Sequence, residues 1–417
     1  MKLKDRKILK KIKKFIKDDE IIAIHGSRQV GKTSLLYLII EKHLKNTKQE
    51  NIFFFDLEDF FLLDLCNQGP EQVINYLKGK GADFKNKVYL FIDEVQYLDS
   101  PSSFLKLFYD KFKGKIKLIV SGSSSFLIKK KFKDSLVGRI IDFELFTLDF
   151  EEFLNFKELN YDLRFLSDAI NRELLPLYKE YLIYGGYPAI VIEEDIEKKE
   201  IKLKQIINTY VKKDVRDLAA IRNINKFNAL LSVLSSQSGR LLNITELSNT
   251  LGIAKKTIED YLLILENTYI IKRIYPFYKN IRSELTKMPK IFFEDTGMMN
   301  ILMNKSFPSV ITGEMFETGL YSIFRKNIEV DNIHFWRTNK GQEVDFVLNF
   351  PKKKTPIIPL EVKLNYSKKY LTPLRYFLDK YNLKMGFLVC SKERISPDKR
   401  IKVIYPWQFY QMFKDYF

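Results

Sequence analysis

Residues 26–33 read Gly26-Ser27-Arg28-Gln29-Val30-Gly31-Lys32-Thr33, a full match to the pattern G-x-x-x-x-G-K-[ST]. The apolar run Ile21–Ile24 stands just ahead of it, and Ser34-Leu35-Leu36-Tyr37-Leu38-Ile39-Ile40 follows as the start of an apolar helix. Strand, glycine loop and helix N-terminus in that order make an anion cradle. The glycines let backbone N–H groups curl around phosphates, at a helix end whose dipole favours negative charge. The stretch Gly26 to Ser34 is therefore expected to bind ATP. Lys32 would reach the β- and γ-phosphates, and the Thr33 hydroxyl would hold Mg²⁺.

Working outward, short runs rich in Ile, Val and Phe recur at Ile21–Ile24, Ile52–Phe55, Val88–Ile92 and Lys117–Val120, with longer amphipathic segments between them. Runs of this kind read as parallel strands covered on both faces, so residues 1–150 form an α/β domain. The third run ends in Asp93-Glu94. Asp93 at a strand's carboxyl end is placed to anchor Mg²⁺, and Glu94 to polarise the attacking water as general base. The fourth run ends in Ser121-Gly122-Ser123-Ser124. Ser121 and Ser123 are candidates for a hydrogen bond to the γ-phosphate or the lytic water; a plain turn is the alternative. Arg139, in Leu136-Val137-Gly138-Arg139, either reaches a neighbouring subunit's site as an arginine finger or pairs with a local acid. The finger role implies a homo-oligomer.

The 417 residues carry a net charge of +18, with 46% hydrophobic and 14% aromatic residues. That excludes wholesale disorder, and the positive field favours a polyanion, chiefly nucleic acid or an acidic membrane surface; DNA, double-stranded or branched, is the partner expected. Cys66 and Cys390 stand far apart without a partner motif, and His25, His43 and His334 are scattered. Neither a disulfide framework nor a Cys-based metal site is available. With no apolar signal core in the first twenty residues and no stretch long enough to span a bilayer, a cytoplasmic protein without membrane attachment is expected. Residues 5–18 place Ile8, Leu9, Ile12, Phe15 and Ile16 on one helical face.

Residues 151–235 read as mostly helical, broken at Gly185-Gly186-Tyr187-Pro188, and 236–290 as a small helical module ending in a strand. Within the module, Ile244 to Ile253 reads as helix and glycine turn, and Ala254 to Leu262 as a second helix. Its apolar residues face inward, leaving Lys255, Lys256 and Thr257 at the exposed start, where a recognition helix meets the major groove. A protein–protein platform is the competing reading of such a winged helix. Strands return in 291–417, where Asp345 and Glu361 fall on two adjacent strands joined by a lysine-rich turn. Glu361 and Lys363 share one face by strand alternation. Asp345 with Glu361 would form a hard-oxygen Mg²⁺ site, and Lys363 would stabilise a metal-bound hydroxide.

The combination GSRQVGKTSLL, LFIDEVQYL, SGSSS, LVGR and LFTLDFEEF resembles the archaeal-type AAA-family ATPases. So do the GGYP stretch at Gly185–Pro188 and the run from Pro289 to Gly297. The resemblance covers nearly the whole chain. It implies an AAA-type parallel-sheet domain with a helical lid, a winged-helix module and a restriction-endonuclease-like α/β C-terminal domain. The C-terminal strands resemble the PD-(D/E)xK nuclease fold, which puts Glu317 in the helix-borne acidic position and leaves Val344 where proline is named. Two functions are compatible with this. One is an ATPase coupled to DNA binding or remodelling, with Mg²⁺-dependent cleavage. The other is a regulatory nucleotide switch whose C-terminal half is a protein scaffold on a degenerate nuclease fold.

Overall fold

The computed structural model describes residues 3–122, 136–210, 223–277, 287–353, 355–392 and 395–413. Ser123 lies outside them. The chain divides into two compact units. The first consists mainly of residues up to Phe146, joined by Asn267–Tyr269, and the second takes in most of the remainder.

In the first unit, strands β1 (Ile21–His25), β2 (Ile52–Asp56), β3 (Val88–Asp93), β4 (Ile116–Gly122) and β5 (Ile140–Glu144) form one sheet in the order β2-β3-β4-β1-β5. Every pairing is parallel. β1 and β4 are buried at every position, which is why Ile21–Ile24 and Leu118–Val120 read as apolar runs rather than as alternation. The carboxyl ends of β1, β3 and β4 therefore meet along one edge, where α/β sheets bind ligands.

One expectation fails at the N-terminus. Instead of a helix over residues 5–18 there is one turn, Leu9–Ile12, and a 3-10 turn, Lys13–Phe15, with Leu9, Ile12 and Ile16 buried. The chain breaks off because its following carbonyls go elsewhere. The buried Lys117 ammonium donates to the Phe15 and Asp18 oxygens at 2.7 and 2.9 Å, and to the Glu20 oxygen. Burial pushes that amine down to about 8.

The second unit begins with helices Phe150–Phe156, Asp168–Tyr184, Pro188–Val191 and Ile196–Thr209. Helices Ile224–Ser236, Ile244–Leu251 and Lys255–Asn267 follow, the middle one closed by Gly252 in the left-handed region. β6 (Ile271–Ile274) and β7 (Lys290–Phe293) then pair antiparallel as a two-stranded sheet. β7 was expected to open the C-terminal domain; its ladder partner is instead β6. The C-terminal sheet consists of β8 (Ile333–Arg337), β9 (Glu343–Asn349), β10 (Ile357–Val362), β11 (Gly386–Val389) and β12 (Ile401–Ile404), in the order β12-β11-β10-β9-β8. β8, β9 and β10 run antiparallel; β10, β11 and β12 run parallel, with helix Leu371–Tyr381 as the crossover.

The Gly185–Pro188 break is a packing point. The Gly186 N–H donates to Asp295 Oδ2 at 2.8 Å, while Asp295 Oδ1 caps helix Thr296–Asn304 by accepting from Met298 N at 3.0 Å. A Cβ on Gly186 would lie 2.2 Å from the carbonyl oxygen of Leu148, whose own N–H donates to the Gly186 oxygen at 2.7 Å. Gly186→Ala should therefore cost about 1–3 kcal/mol of stability by overpacking. Gly79→Ala, at the end of helix Pro70–Gly79 with nothing within 4 Å of the added methyl, should be neutral or better. Thermal unfolding of the two variants side by side checks the contrast.

Candidate functional site

The loop from β1 to helix Lys32–His43 has the backbone its sequence requires. Gly31 has φ +95° and Gln29 φ +60°, and a Cβ on Gly26 would collide with the Leu145 carbonyl at 2.0 Å. Arg6 clamps the loop from outside, donating to the Val30 oxygen at 2.8 Å and the Phe146 oxygen at 2.7 Å. No motif pointed to Arg6. Lys32 is buried, with Nζ on the Gly26 and Ser27 carbonyls at 3.1 and 2.8 Å; Thr33 and Ser34 are exposed at the helix start. Arg28 lies half-buried in the same loop.

Asp93 is the hub. Thr33 Oγ1 donates to its Oδ2 at 2.5 Å, Ser121 Oγ donates to Oδ1, and the Glu94 N–H reaches Oδ1 at 3.0 Å. Register explains the meeting: Ser121 on β4 lies opposite Ile24 on β1, two residues before the loop, and β4 separates β1 from β3. All three donors to Asp93 are neutral, so its charge is not cancelled by an ammonium or guanidinium among them. A carboxylate beside a threonine hydroxyl, at an edge lined by N–H groups, is a hard-oxygen donor set that fits Mg²⁺. Glu94 has a left-handed backbone, φ +55°, and its carboxylate accepts from the Gln96 side-chain amide. Non-glycine residues there cost on the order of 1–3 kcal/mol, and such positions cluster at functional sites.

Arg139 is far from this edge within its own chain. It directly precedes β5, at the opposite end of the sheet, and its guanidinium holds Asp110 at 2.7 Å. That contact raises the Arg139 pKa and lowers that of Asp110. A finger role across a subunit boundary requires this ion pair to open.

The C-terminal candidates converge, with a participant the sequence did not single out. Asp345 Oδ2 accepts from Lys363 Nζ at 2.6 Å and from the Val362 N–H at 2.8 Å; Lys363 also meets Glu361 Oε1 at 2.8 Å. Glu317 comes in from helix Gly313–Asn327. Its partner, however, is the ammonium of Lys290 on β7, at 3.1 Å, which also lies 2.7 Å from Glu343 and 3.9 Å from Asp345. Lys290 is 3% exposed. Burial works against its charge, and Glu317, Asp345 and Glu343 outweigh that, raising its pKa. Lys363 is raised likewise, burial being outweighed by Asp345 and Glu361. Two signals for this arrangement were in the sequence. Glu343 alternates by two with Asp345, and Lys290 leads an apolar strand that offers a buried amine no neutral partners.

As arranged, these groups do not fit a divalent ion. Among the described residues, no three His, Cys, Asp or Glu side chains gather as metal ligands, because the acids turn towards two lysines instead. Lys255 and Lys256 are exposed and Thr257 half-buried at the start of helix Lys255–Asn267. Lys256 pairs with Asp260 at 3.5 Å, so the same face also carries acids. No helix of the described residues is long and apolar enough to cross a membrane.

Residues 18–154 match the family model described as an AAA domain. Residues 175–309 and 312–410 match two models described as domains of unknown function, DUF8612 and DUF4143. An uncharacterised protein of Methanocaldococcus jannaschii is 28% identical over 384 residues, which span 88% of this chain and 82% of that one. One of Haemophilus influenzae is 25% identical over 387 residues, 88% of this chain and 92% of its own. Among solved structures, the Aeropyrum pernix ORC1 protein in complex with DNA aligns with a TM-score of 0.32 and 11% identity, covering 68% of this chain and 87% of that one. By the match to the AAA domain model, residues 18–154 form a P-loop, AAA-type ATPase-like domain.

The buried acids generate a pH prediction. Burial, reinforced for Glu361 by the Asp345 charge, pushes Glu317 up to about 7 and Glu361 up to about 8, from an ordinary 4.5. The folded chain then holds these protons more tightly than the unfolded chain. Their contribution is complete below 4.5 and is lost as pH rises through about 7 and about 8. Thermal stability of the second unit should fall across that window. Glu361→Gln should flatten the upper part of the curve; an unchanged slope would remove Glu361 as its source.

Proposed function

We propose that this chain is an ATP-hydrolysing AAA-type ATPase whose turnover is coupled to DNA, duplex or branched. The observation that carries the proposal is the Asp93 carboxylate placed on the Thr33 and Ser121 hydroxyls beside the Lys32 loop. In this reading the N–H groups of Gly26 to Ser34 cradle the phosphates and Lys32 moves from loop carbonyls onto the β- and γ-phosphates. Bound Mg²⁺, held by Thr33 and Asp93, would supply positive charge across the same oxygens. Glu94, released from Gln96, takes the proton of the attacking water. Ser121, already on Asp93, positions the site from β4, and Arg139 of a neighbouring subunit stabilises the developing charge in a homo-oligomer.

The DNA assignment is supported by the +18 balance and by the element order of a winged helix. Helix 224–236, a bridge at Leu241, helices 244–251 and 255–267, then β6 and β7 follow one another. Lys255, Lys256 and Thr257 would meet DNA first. The C-terminal sheet is read as a nuclease-like fold, without a cleavage step. A second reading, a nucleotide switch with a scaffolding C-terminal half, is favoured by the lysine-filled acid cluster.

Lys32→Ala should abolish tight ATP binding, while Glu94→Gln should keep binding and lose roughly 10²–10⁴-fold in turnover. Full turnover in Glu94→Gln would remove it from the base role. Phosphate release measured with single-stranded, duplex and branched DNA separates the two readings, since only the first expects stimulation. Replacing Lys255 and Lys256 together should lower the salt slope of DNA binding by about two units at most. Indifference to both lysines would favour the platform.

A further inference from the structure

Three features of the C-terminal cluster belong together. Three carboxylates from two elements surround one ammonium, that of Lys290, with the Glu317, Glu343 and Asp345 oxygens at 3.1, 2.7 and 3.9 Å. A second ammonium, Lys363, closes the other side on Asp345 and Glu361 at 2.6 and 2.8 Å. Glu361 nevertheless keeps one oxygen, Oε2, buried and without a hydrogen-bond partner, on a residue only 4% exposed. A buried acceptor left unused in a carboxylate cluster points to a cation.

We infer that Lys290 is a built-in cation that closes this cluster to divalent metal. The inference rests on the nuclease-like reading of the C-terminal sheet. An ammonium and a divalent ion cannot share the space, because a metal needs several of the same oxygens at about 2.0–2.6 Å. Lys290 is also held where it stands: besides its ladder partner Ile274 on β6 it bridges Leu241, with Leu242 N–H on the Pro289 oxygen at 2.8 Å and Ile291 N–H on the Arg240 oxygen at 3.1 Å to either side.

Mn²⁺ binding to the full chain, read by the electron paramagnetic resonance of the free ion, tests this directly. Asp93→Asn in every sample silences the nucleotide site. Lys290→Met should hold one Mn²⁺ per chain, with an affinity roughly tenfold or more above that of the Lys290 chain. Lys290→Arg should stay closed, and adding Asp345→Asn to Lys290→Met should remove the new ion. Circular dichroism reports whether the variants are folded. If Lys290→Met is not, Lys290→Met with Glu343→Gln, which loses one charge of each sign, replaces it. A Lys290 chain that binds Mn²⁺ as tightly as Lys290→Met overturns the plug while leaving the carboxylates a metal site. A folded methionine variant that binds none overturns the metal-site reading itself.

Discussion

The first unit depends on one carboxylate being held where three elements end. Asp93 takes the Thr33 hydroxyl from the helix after β1, the Ser121 hydroxyl from β4 and the N–H of the residue that follows it on β3. A buried carboxylate costs free energy unless its oxygens are bonded. Asp93 therefore fixes the relative height of β1, β3 and β4, and hence the position of the phosphate loop. The glycines then have no latitude: Gly26 is against the Leu145 carbonyl and Gly31 is in a backbone region that L side chains seldom adopt. Arg6 secures the far side by tying the Val30 and Phe146 carbonyls together.

The same problem is met differently in the second unit. Asp93 is bonded by hydroxyl and amide donors, which satisfy lone pairs without supplying a full positive charge. Asp345 and Glu361 are bonded by Lys363, and Glu317 and Glu343 by Lys290. Neutral donors leave a carboxylate able to attract a cation; ammonium donors consume that attraction. Carboxylates gathered on a sheet edge are therefore insufficient grounds for a metal site. The charge on their donors decides it.

That distinction marks how far the sequence could be read. Strands β1 to β4 were legible within a residue or two, because buried parallel strands are largely continuous apolar runs. That Lys32, Thr33, Asp93 and Ser121 come together at one sheet edge was legible because a phosphate loop and a strand-end acid obey fixed local geometry. Lys290 was not singled out, since it lies 27 residues before Glu317 in sequence, on a strand whose ladder belongs to another sheet. Pairing across such a distance is set by packing of the whole unit and leaves no local periodicity. The shortened N-terminal helix was missed for a related reason: its amphipathic pattern is genuine, but Lys117, about a hundred residues on, takes carbonyls at its end. The GGYP stretch was legible as a break, and its partner, Asp295, was not.

Lys117 and Lys290 share a rule that sharpens such readings. Each occupies a strand otherwise made of apolar residues, in Ile116-Lys117-Leu118-Ile119 and Lys290-Ile291-Phe292-Phe293, and each is almost wholly buried. A lysine in that position must find acceptors within its own reach, because an unpaired buried ammonium would lose its proton or unfold the strand. The acceptors decide which outcome holds. Lys117 meets three carbonyls, which carry no net charge, and burial brings its pKa down to about 8. Lys290 meets carboxylates, and its pKa rises despite the burial. Two lysines that look alike in sequence thus differ in what they do. The first organises backbone and gives up its proton more readily than an ordinary lysine; the second is a fixed charge, and only a fixed charge can stand in for a metal.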